Sequence, residues 1–86
     1  MQRHREDQEQ QVVQVIRKGE KHQIRVSLSK YKGRLLGDLR LFILNREGDW
    51  IPTQKGCTVG VEQLDELVEA VARLRDASDP TMHPPL

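Results

Sequence analysis

The hydropathy pattern of this chain changes its period once, and that change limits the folds that the chain can adopt. Between residues 24 and 29, apolar residues alternate with Arg25 and two serines, which predicts a strand with one wet face. After Lys55 and Gly56, apolar residues recur every three or four positions as far as Leu74, which predicts one amphipathic helix. A chain with strands first and a single helix last is α+β in class.

Turn residues divide the strand region into four segments. We predict strands near residues 12–16, 21–29, 35–44 and 50–53, separated by polar or glycine-containing stretches. The third segment is apolar almost throughout except at Asp38 and Arg40, as a central strand would be. Pro52 places the fourth at an edge or a bulge. The predicted order of elements is β-β-β-β-α.

Both ends of the chain are predicted to be flexible. Residues 1–11 are polar, with four glutamines and no apolar residue after Met1, and they form a flexible polar tail. Residues 77–86 contain three prolines and form a Pro-rich tail. The domain is therefore predicted to span residues 12–76, a size at which one hydrophobic core is only marginally sufficient and a partner subunit is plausible.

The sequence favours an intracellular, soluble protein. The amino terminus has no apolar segment of the kind that a signal peptide needs, and no apolar run approaches the length of a membrane span. Cys57, the single cysteine, excludes an intramolecular disulfide and is expected to be buried at the end of a strand. We expect a cytoplasmic location, with association with the nucleoid if the source is bacterial, and no membrane partner.

Charge is distributed unevenly along the chain although the formal net charge is only +1. Residues 17–56 contain ten Lys or Arg and four acids, whereas residues 57–86 contain two Arg and six acids. A basic strand region beside an acidic helix indicates that the sheet attracts an anionic polymer and that the helix does not.

Several side chains of the basic region are candidates for contact with nucleic acid. The cations that could neutralise phosphates are Lys30, Lys32, Arg34, Arg40 and Lys55. Tyr31 and Trp50 offer aromatic faces on which unpaired bases could stack. Two alternatives stay open, because Arg40 could instead pair with Asp38 on the same face, and Trp50 could instead anchor the core or a dimer.

The residue inventory argues against an enzyme. His4 and His83 lie in the tails, His22 begins a strand, and Cys57 has no neighbouring base in the sequence. No phosphate-binding glycine motif occurs, so we predict no catalytic residue, no metal site and no cofactor.

Three segments resemble one known family in order and spacing. The strings VSLSKYKGRLLGDLRLF, NREGDWIPTQKG and VEQLDEL are similar to the carboxy-terminal domain of the eukaryotic transcriptional coactivator positive cofactor four and of its bacterial relatives. The resemblance covers about residues 12–76. It implies a homodimer in which a four-stranded curved antiparallel sheet from each subunit binds single-stranded or unwound DNA, and it implies no catalytic activity.

The resemblance also assigns roles to individual residues. By position it implies nucleic-acid contacts from Ser27, Tyr31, Lys32, Arg34, Arg40 and Lys55. Three further residues complete the candidate surface: Arg25, Lys30 and Trp50. Arg25 lies on the same wet face of the second strand as Ser27. The helices would help to form the dimer interface, through the stripe Leu64, Leu67, Val68, Val71 and Leu74.

Two functions follow as hypotheses. The first is a largely sequence-independent protein that binds single-stranded DNA, or RNA, in transcription, replication or repair, with the transcription machinery as a further partner. The second is a dimeric interaction scaffold of the same fold with weakened nucleic-acid affinity. Ile43, Ile51 and Gln54 motivate the second, because family members often have aromatic or basic residues there.

Overall fold

A computed structural model describes residues 8–79 and 81 of the chain. It contains the strands β1 (Gln8–Arg17), β2 (His22–Tyr31), β3 (Arg34–Leu44) and β4 (Trp50–Gly60), followed by a short 3₁₀ turn (Val61–Gln63) and the helix α1 (Leu64–Ala77). All neighbouring strands pair antiparallel, and their order in the sheet is the order in the sequence. The predicted α+β class, with a four-stranded antiparallel sheet followed by one helix, is confirmed.

The two faces of the sheet differ in chemistry. The pairs Arg25–Arg40 and Ser27–Asp38 between β2 and β3 place these four side chains on one face, which we call the polar face. The pairs between the intervening residues place apolar side chains on the other face, which we call the apolar face: Ile24, Val26, Leu39, Leu41 and Ile43 belong to it. The alternation predicted from the sequence for these two strands is therefore correct.

A two-residue turn joins β2 to β3. Tyr31 pairs with Arg34, so Lys32 and Gly33 alone form the connection. Both have positive φ, 52° and 80° respectively, as the tight hairpin turns that match the twist of antiparallel strands require. The hairpin therefore holds Lys32 at its tip and Tyr31 beside it.

The outer strands are longer than the sequence indicated. Residues 8–11 belong to β1, so the prediction of a tail over residues 1–11 is wrong for this part, and residues 1–7 lie outside the described residues. Backbone hydrogen bonds to β2 can hold a glutamine-rich strand without apolar side chains. At the other end, Ala77 closes the helix rather than beginning a tail, and residues 80 and 82–86 lie outside the described residues.

Strand β4 continues to Gly60 across an irregularity opposite Leu41. Pairing skips from Gly56 opposite Arg40 to Pro52 opposite Phe42, so three residues of β4 bulge there. Gly56 has φ +150°, and a Cβ at this position would collide with the carbonyl oxygen of Leu39. The strand can therefore resume its pairing only with glycine at position 56.

This extension of β4 also changes the expected position of Cys57. The sequence suggested a buried residue at the end of a strand, but Cys57 lies within β4, pairs with Leu39 and is exposed. That expectation is wrong, because nothing in the described chain covers the apolar face at this point.

The helix contacts the sheet mainly at its first turn. Leu64 lies against Gly37, where an added Cβ would come within 3.1 Å of the leucine Cδ2. The backbone N–H of Gly60 donates to Oε1 of Gln63 at 3.3 Å, a hydrogen bond of the kind found in a capping box. Beyond this turn the stripe is poorly covered: Val68, Val71 and Leu74 are 67, 51 and 67% exposed, while Leu64 and Leu67 are half-buried.

Among the described residues, no hydrophobic side chain is buried. The Cα radius of gyration is 16.1 Å, whereas a compact chain of this length has a value of about 12 Å. The apolar face and the helix stripe are thus the two apolar surfaces that a single chain leaves uncovered. No helix in the described part of the chain combines the length and the apolar character that crossing a membrane requires.

Candidate nucleic-acid interface

A groove of about 470 Å³ crosses the polar face from β1 to β4. Each of the four strands contributes to its lining, which consists of Gln10, Ser29, Tyr31, Leu36, Asp38, Arg40, Phe42, Pro52 and Thr58. Apolar, aromatic and charged side chains therefore share one open surface. Such a mixture suits a ligand that has both flat apolar rings and polar edges.

Two small side chains of β2 are buried next to the groove. Ser27 and Ser29 of β2 are only 5 and 8% exposed, and they are the polar residues that the described chain buries. Ser29 lines the groove directly, and Ser27 lies opposite Asp38 in the sheet. Ser29 therefore forms part of the groove surface, whereas Ser27, a predicted contact residue, is buried and does not line the groove.

Arg40 and Asp38 form a closed polar cluster in the groove. Arg40 donates from Nη2 to Asp38 Oδ1 at 2.8 Å, from Nε to Oδ2 at 3.2 Å, and from Nη1 to the carbonyl oxygen of Thr53 at 3.2 Å. Thr58 donates its hydroxyl to Asp38 Oδ1 at 2.7 Å. Of the two possibilities that the sequence left open for Arg40, the structure shows the pairing with Asp38.

This cluster changes the titration of its carboxylate. Partial burial opposes ionisation of Asp38, but the hydrogen bonds from Arg40 and Thr58 outweigh it and hold the pKa of Asp38 below its ordinary value. Asp38 is therefore a carboxylate at neutral pH, and it neutralises much of the field that Arg40 would direct at a phosphate.

Arg25 lies on the polar face with its guanidinium stacked on an aromatic ring. Its Cζ is 4.2 Å from the centroid of the Phe42 ring, and its Nε donates to Gln23 Oε1 at 2.7 Å. No acid of the described chain lies within ion-pair distance of it. Arg25 thus keeps its charge available and adds a flat surface beside Phe42.

The β2–β3 hairpin places a second cation beside a second aromatic ring. Lys32 Nζ lies 5.3 Å from the centroid of the exposed Tyr31 ring. Tyr31 also lines the groove, so the hairpin extends the polar face toward the solvent. Tyr31 is exposed, so its ring is accessible to a ligand.

The other predicted residues are placed differently. Arg34 forms an exposed ion pair with Glu62 at 3.6 Å, Lys55 is exposed on the bulge of β4, and half-buried Trp50 pairs with Leu44 on the polar face outside the groove. Lys30 pairs with Leu35, a residue of the apolar face. The structure does not bring Lys30 together with Arg25. Successive side chains of a strand point to alternate faces, and an odd number of positions separates these two residues.

Sequence reasoning missed several residues of the groove. Phe42 was not among the candidate residues, yet it lines the groove, and the guanidinium of Arg25 is stacked on its ring. Its period-two position with Asp38 and Arg40 was the signal that could have identified it. Pro52 and Thr58 could not be found in this way, because their positions depend on the bulge in β4.

The described residues contain no group of three histidine, cysteine, aspartate or glutamate side chains placed to hold a metal ion. The groove instead presents two aromatic rings and a paired carboxylate and guanidinium, and the guanidinium of Arg25 is stacked on one of the rings. Those are groups for binding rather than for covalent chemistry.

Comparison with solved structures agrees with this architecture. A PC4 homolog from Burkholderia pseudomallei matches in its tetragonal crystal form with 27% identity and a TM-score of 0.73, over 78% of this chain and 98% of that chain. Its orthorhombic form matches with 28% identity and a TM-score of 0.71, over 76% of this chain and 88% of that chain.

A phage protein shares the fold at lower identity. It is the bacteriophage T5 homolog of the eukaryotic transcription coactivator PC4, implicated in recombination-dependent DNA replication, with 23% identity and a TM-score of 0.67. The match covers 83% of this chain and 82% of that chain. The family model described as Transcriptional Coactivator p15 (PC4) matches residues 18–70, which is more than half of the sequence. The chain belongs to the Transcriptional Coactivator p15 (PC4) family, the family that its sequence motifs resemble.

Proposed function

We propose that this protein is a non-catalytic homodimer that binds single-stranded DNA on the polar face of its sheet, largely independently of sequence. The observation that carries this proposal is the open groove on the polar face that Tyr31 and Phe42 line, with the guanidinium of Arg25 stacked on the Phe42 ring. Membership of a coactivator family supports the same assignment.

Unpaired bases are the ligand that this chemistry suits. Tyr31 and Phe42 offer ring faces, and stacking on an aromatic ring is available to every base. Arg25 and Lys32 supply positive charge for phosphates without an acid at ion-pair distance among the described residues. Lys55 lines a cleft with Ile24 and Leu39 of the apolar face, so it could reach a phosphate only at the edge of the sheet. A duplex keeps its base faces stacked inside, so it would forgo the aromatic contacts and gain only the charge.

The helix argues against binding of duplex DNA by insertion into a groove. Apart from Arg73 and Arg75, its charged side chains are acids, among them Asp65, Glu66 and Glu69. Phosphates would repel this surface. The polar face of the sheet is therefore the surface that we assign to nucleic acid.

Dimerisation follows from what a single chain leaves exposed. Val68, Val71 and Leu74 of the helix and Leu35, Ile43 and Ile51 of the sheet are exposed apolar side chains. Apolar exposure on this scale in a chain without a buried hydrophobic residue in its described part favours a permanent interface. A second copy supplies the same surfaces, so we propose that the predicted stripe, with half-buried Leu64 and Leu67, packs across a two-fold axis.

The cellular role is proposed from the same comparisons. We place the protein in the cytoplasm, at the nucleoid if the source is bacterial, acting where strands are separated during transcription, replication or repair. The family description points to transcription, and the printed description of the phage homolog points to DNA replication. Components of the transcription machinery would then be further partners.

A second candidate is a dimeric scaffold with weak affinity for nucleic acid. Two of the predicted phosphate-binding cations are compensated, because Arg40 pairs with Asp38 and Arg34 pairs with Glu62. This hypothesis keeps the dimer and predicts feeble binding of any oligonucleotide.

Fluorescence anisotropy with a labelled mixed-sequence oligonucleotide separates the two candidates. The full chain should bind single-stranded DNA more tightly than duplex of equal length, and its affinity should fall as salt is added. A parallel titration with RNA of the same sequence decides whether RNA is also a ligand. Feeble binding that does not depend on salt would refute the first proposal and favour the scaffold.

Two variants of strand β2 provide a matched test of the assigned face. Arg25→Glu and Lys30→Glu make the same change in charge on one strand, but the two positions belong to opposite faces. We expect Arg25→Glu to weaken binding at least about tenfold and Lys30→Glu to change it less than about threefold. Equal losses would show that only the net charge matters and would refute the assignment to the polar face.

A further inference from the structure

The guanidinium of Arg25 covers one face of the Phe42 ring from outside the groove. Its Cζ lies 4.2 Å from the centroid of the ring. Phe42 is among the described residues that line the groove, and Arg25 is not. Since a phenyl ring has only two faces, the side that Arg25 leaves free is the side that a base in the groove can reach.

A neighbour on the same strand sets the position of this guanidinium. Arg25 donates from Nε to Gln23 Oε1 at 2.7 Å, and Gln23 lies opposite Phe42 in the register of β2 and β3. No acid in the described part of the chain lies within ion-pair distance of Arg25. The amide of Gln23 and the ring of Phe42 therefore hold the guanidinium in place.

The ion pair of Arg40 with Asp38 removes an obstacle to this arrangement. Arg25 and Arg40 lie opposite each other on neighbouring strands, where two like charges repel. Arg40 donates to Asp38 at 2.8 and 3.2 Å, so the carboxylate offsets its charge. Arg25 can therefore lie beside Arg40 while its own charge is directed at the negative face of the Phe42 ring.

An aromatic ring on an open sheet surface binds a base better when the ring is already held. Phe42 is only half-buried, so packing alone does not restrict it fully. Ordering a side chain on binding costs free energy, and a side chain that is held beforehand avoids that cost. A guanidinium suits this role because it is flat, stacks on aromatic rings and is more weakly hydrated than the ammonium group of lysine.

We propose that Arg25 is a positioning residue, whose guanidinium holds the Phe42 ring so that an unpaired base stacks on the free side of the ring. The inference rests on the proposed binding of single-stranded DNA and adds an order of layers to it, from guanidinium to phenyl ring to base. Arg25 keeps its positive charge in this arrangement and still attracts phosphates. The ring depends on the plane of the guanidinium as well as on its charge.

The variant Arg25→Lys separates the plane from the charge. Lysine keeps the positive charge but lacks both the flat group and the Nε that donates to Gln23. In anisotropy titrations of the full chain with a labelled mixed-sequence single strand, we expect the affinity to fall about fivefold. The dependence on salt should not change, because the number of cations is the same. Binding of duplex of equal length, which hides its base faces, should change less than about twofold.

The outcomes of this experiment distinguish the inference from the proposed function. If the parent binds single strands and Arg25→Lys binds them within about twofold of the parent, the inference is overturned and the proposed function stands. Equal losses for single strand and duplex would also overturn the inference, since they would trace the effect to the fold or to phosphate contacts. No binding of single-stranded DNA by the parent would refute the proposed function together with the inference.

Arg17→Lys is the matched control. Arg17 is exposed, belongs to the polar face and pairs with Gln23 from strand β1. Among the described residues, the cation–π contacts involve Arg25 and Lys32 but not Arg17. The same exchange of residue types should therefore change the affinity for single strands by less than about twofold. A loss as large as that of Arg25→Lys would contradict a special role for the guanidinium on Phe42.

A double-mutant cycle with Phe42→Leu tests whether Arg25 acts through the ring. Leucine keeps an apolar side chain but has no ring on which a base or a guanidinium could stack. Arg25→Lys should cost about fivefold in the parent and less than about twofold in Phe42→Leu. Equal costs in the two backgrounds would refute the proposal. If circular dichroism shows that Phe42→Leu does not fold, the comparison of Arg25→Lys with Arg17→Lys decides the question.

Discussion

The exposed apolar stripe of α1 makes a quantitative prediction about assembly. Val71 and Leu74 are 51 and 67% exposed in a single chain. Complete burial of a valine or leucine stabilises by about 1.5 to 3 kcal/mol, so the exposed fractions of these two side chains represent roughly 2.5 kcal/mol per subunit. A two-fold interface contains each side chain twice, which doubles the value to about 5 kcal/mol.

The double variant Val71→Ser, Leu74→Ser removes most of this contribution. We expect the dissociation constant of the dimer to rise by a factor on the order of 10³ to 10⁴. Sedimentation velocity across a range of protein concentrations measures it directly. Circular dichroism on the same samples checks that the helix persists.

A matched control changes the other side of the same helix. Glu69 and Arg73 are exposed, lie off the apolar stripe and form an ion pair at 3.5 Å. Glu69→Ser with Arg73→Ser introduces the same two residues, leaves the net charge unchanged and removes a pair that contributes only about 0.3 to 0.5 kcal/mol. If both double variants dissociate alike, or if the stripe variant stays dimeric within tenfold of the parent, the stripe is not the subunit seam.

Two further predictions concern the sheet itself. Because the pKa of Asp38 is lowered in the folded chain, its ionised form stabilises the fold at neutral pH, and this contribution is lost as the pH falls below its ordinary value of 3.8. Urea unfolding at fixed protein concentration should show a steeper loss of stability below about pH 4 for the parent than for Asp38→Asn, and equal slopes would contradict the cluster. Gly56→Ala should cost about 3 kcal/mol or more in thermal unfolding, since its Cβ would meet the backbone of Leu39 and Arg40. Gly48→Ala, where φ is +89° but nothing lies within 4 Å, should cost only about 1 kcal/mol, and similar losses at both glycines would refute the steric argument.

The sequence predicted the parts of the fold that side-chain period controls. Alternation of Ile24 with Arg25, and of Leu41 with Arg40, determines which side of a strand faces water, and the structure confirms both assignments. The same rule places Lys30 on the other face of the sheet from Arg25. Including both residues in one binding surface was therefore an error that the sequence alone could have corrected.

Backbone pairing and tertiary contacts could not be predicted from the sequence. Residues 8–11 pair with β2 although their polar side chains suggested a tail, and β4 extends past Lys55 because Gly56 restores its register. The partner of Arg40 was left open because spacing makes Asp38 reachable without showing which hydrogen bonds form. The groove residues Pro52 and Thr58 depend on the bulge, which has no reliable signature in a single sequence.

The bulge opposite Leu41 has a consequence for how this fold can change in evolution. Period-two alternation means that sliding β4 by one residue along β3 would exchange its two faces, moving Thr58 away from Asp38 and turning Cys57 and Val59 toward the polar face. Insertions or deletions in β4 should therefore be tolerated only in pairs, or within the bulge itself, where residues are not committed to either side. Because only glycine fits at position 56, this residue fixes which side chains of β4 belong to the polar face and which to the apolar face.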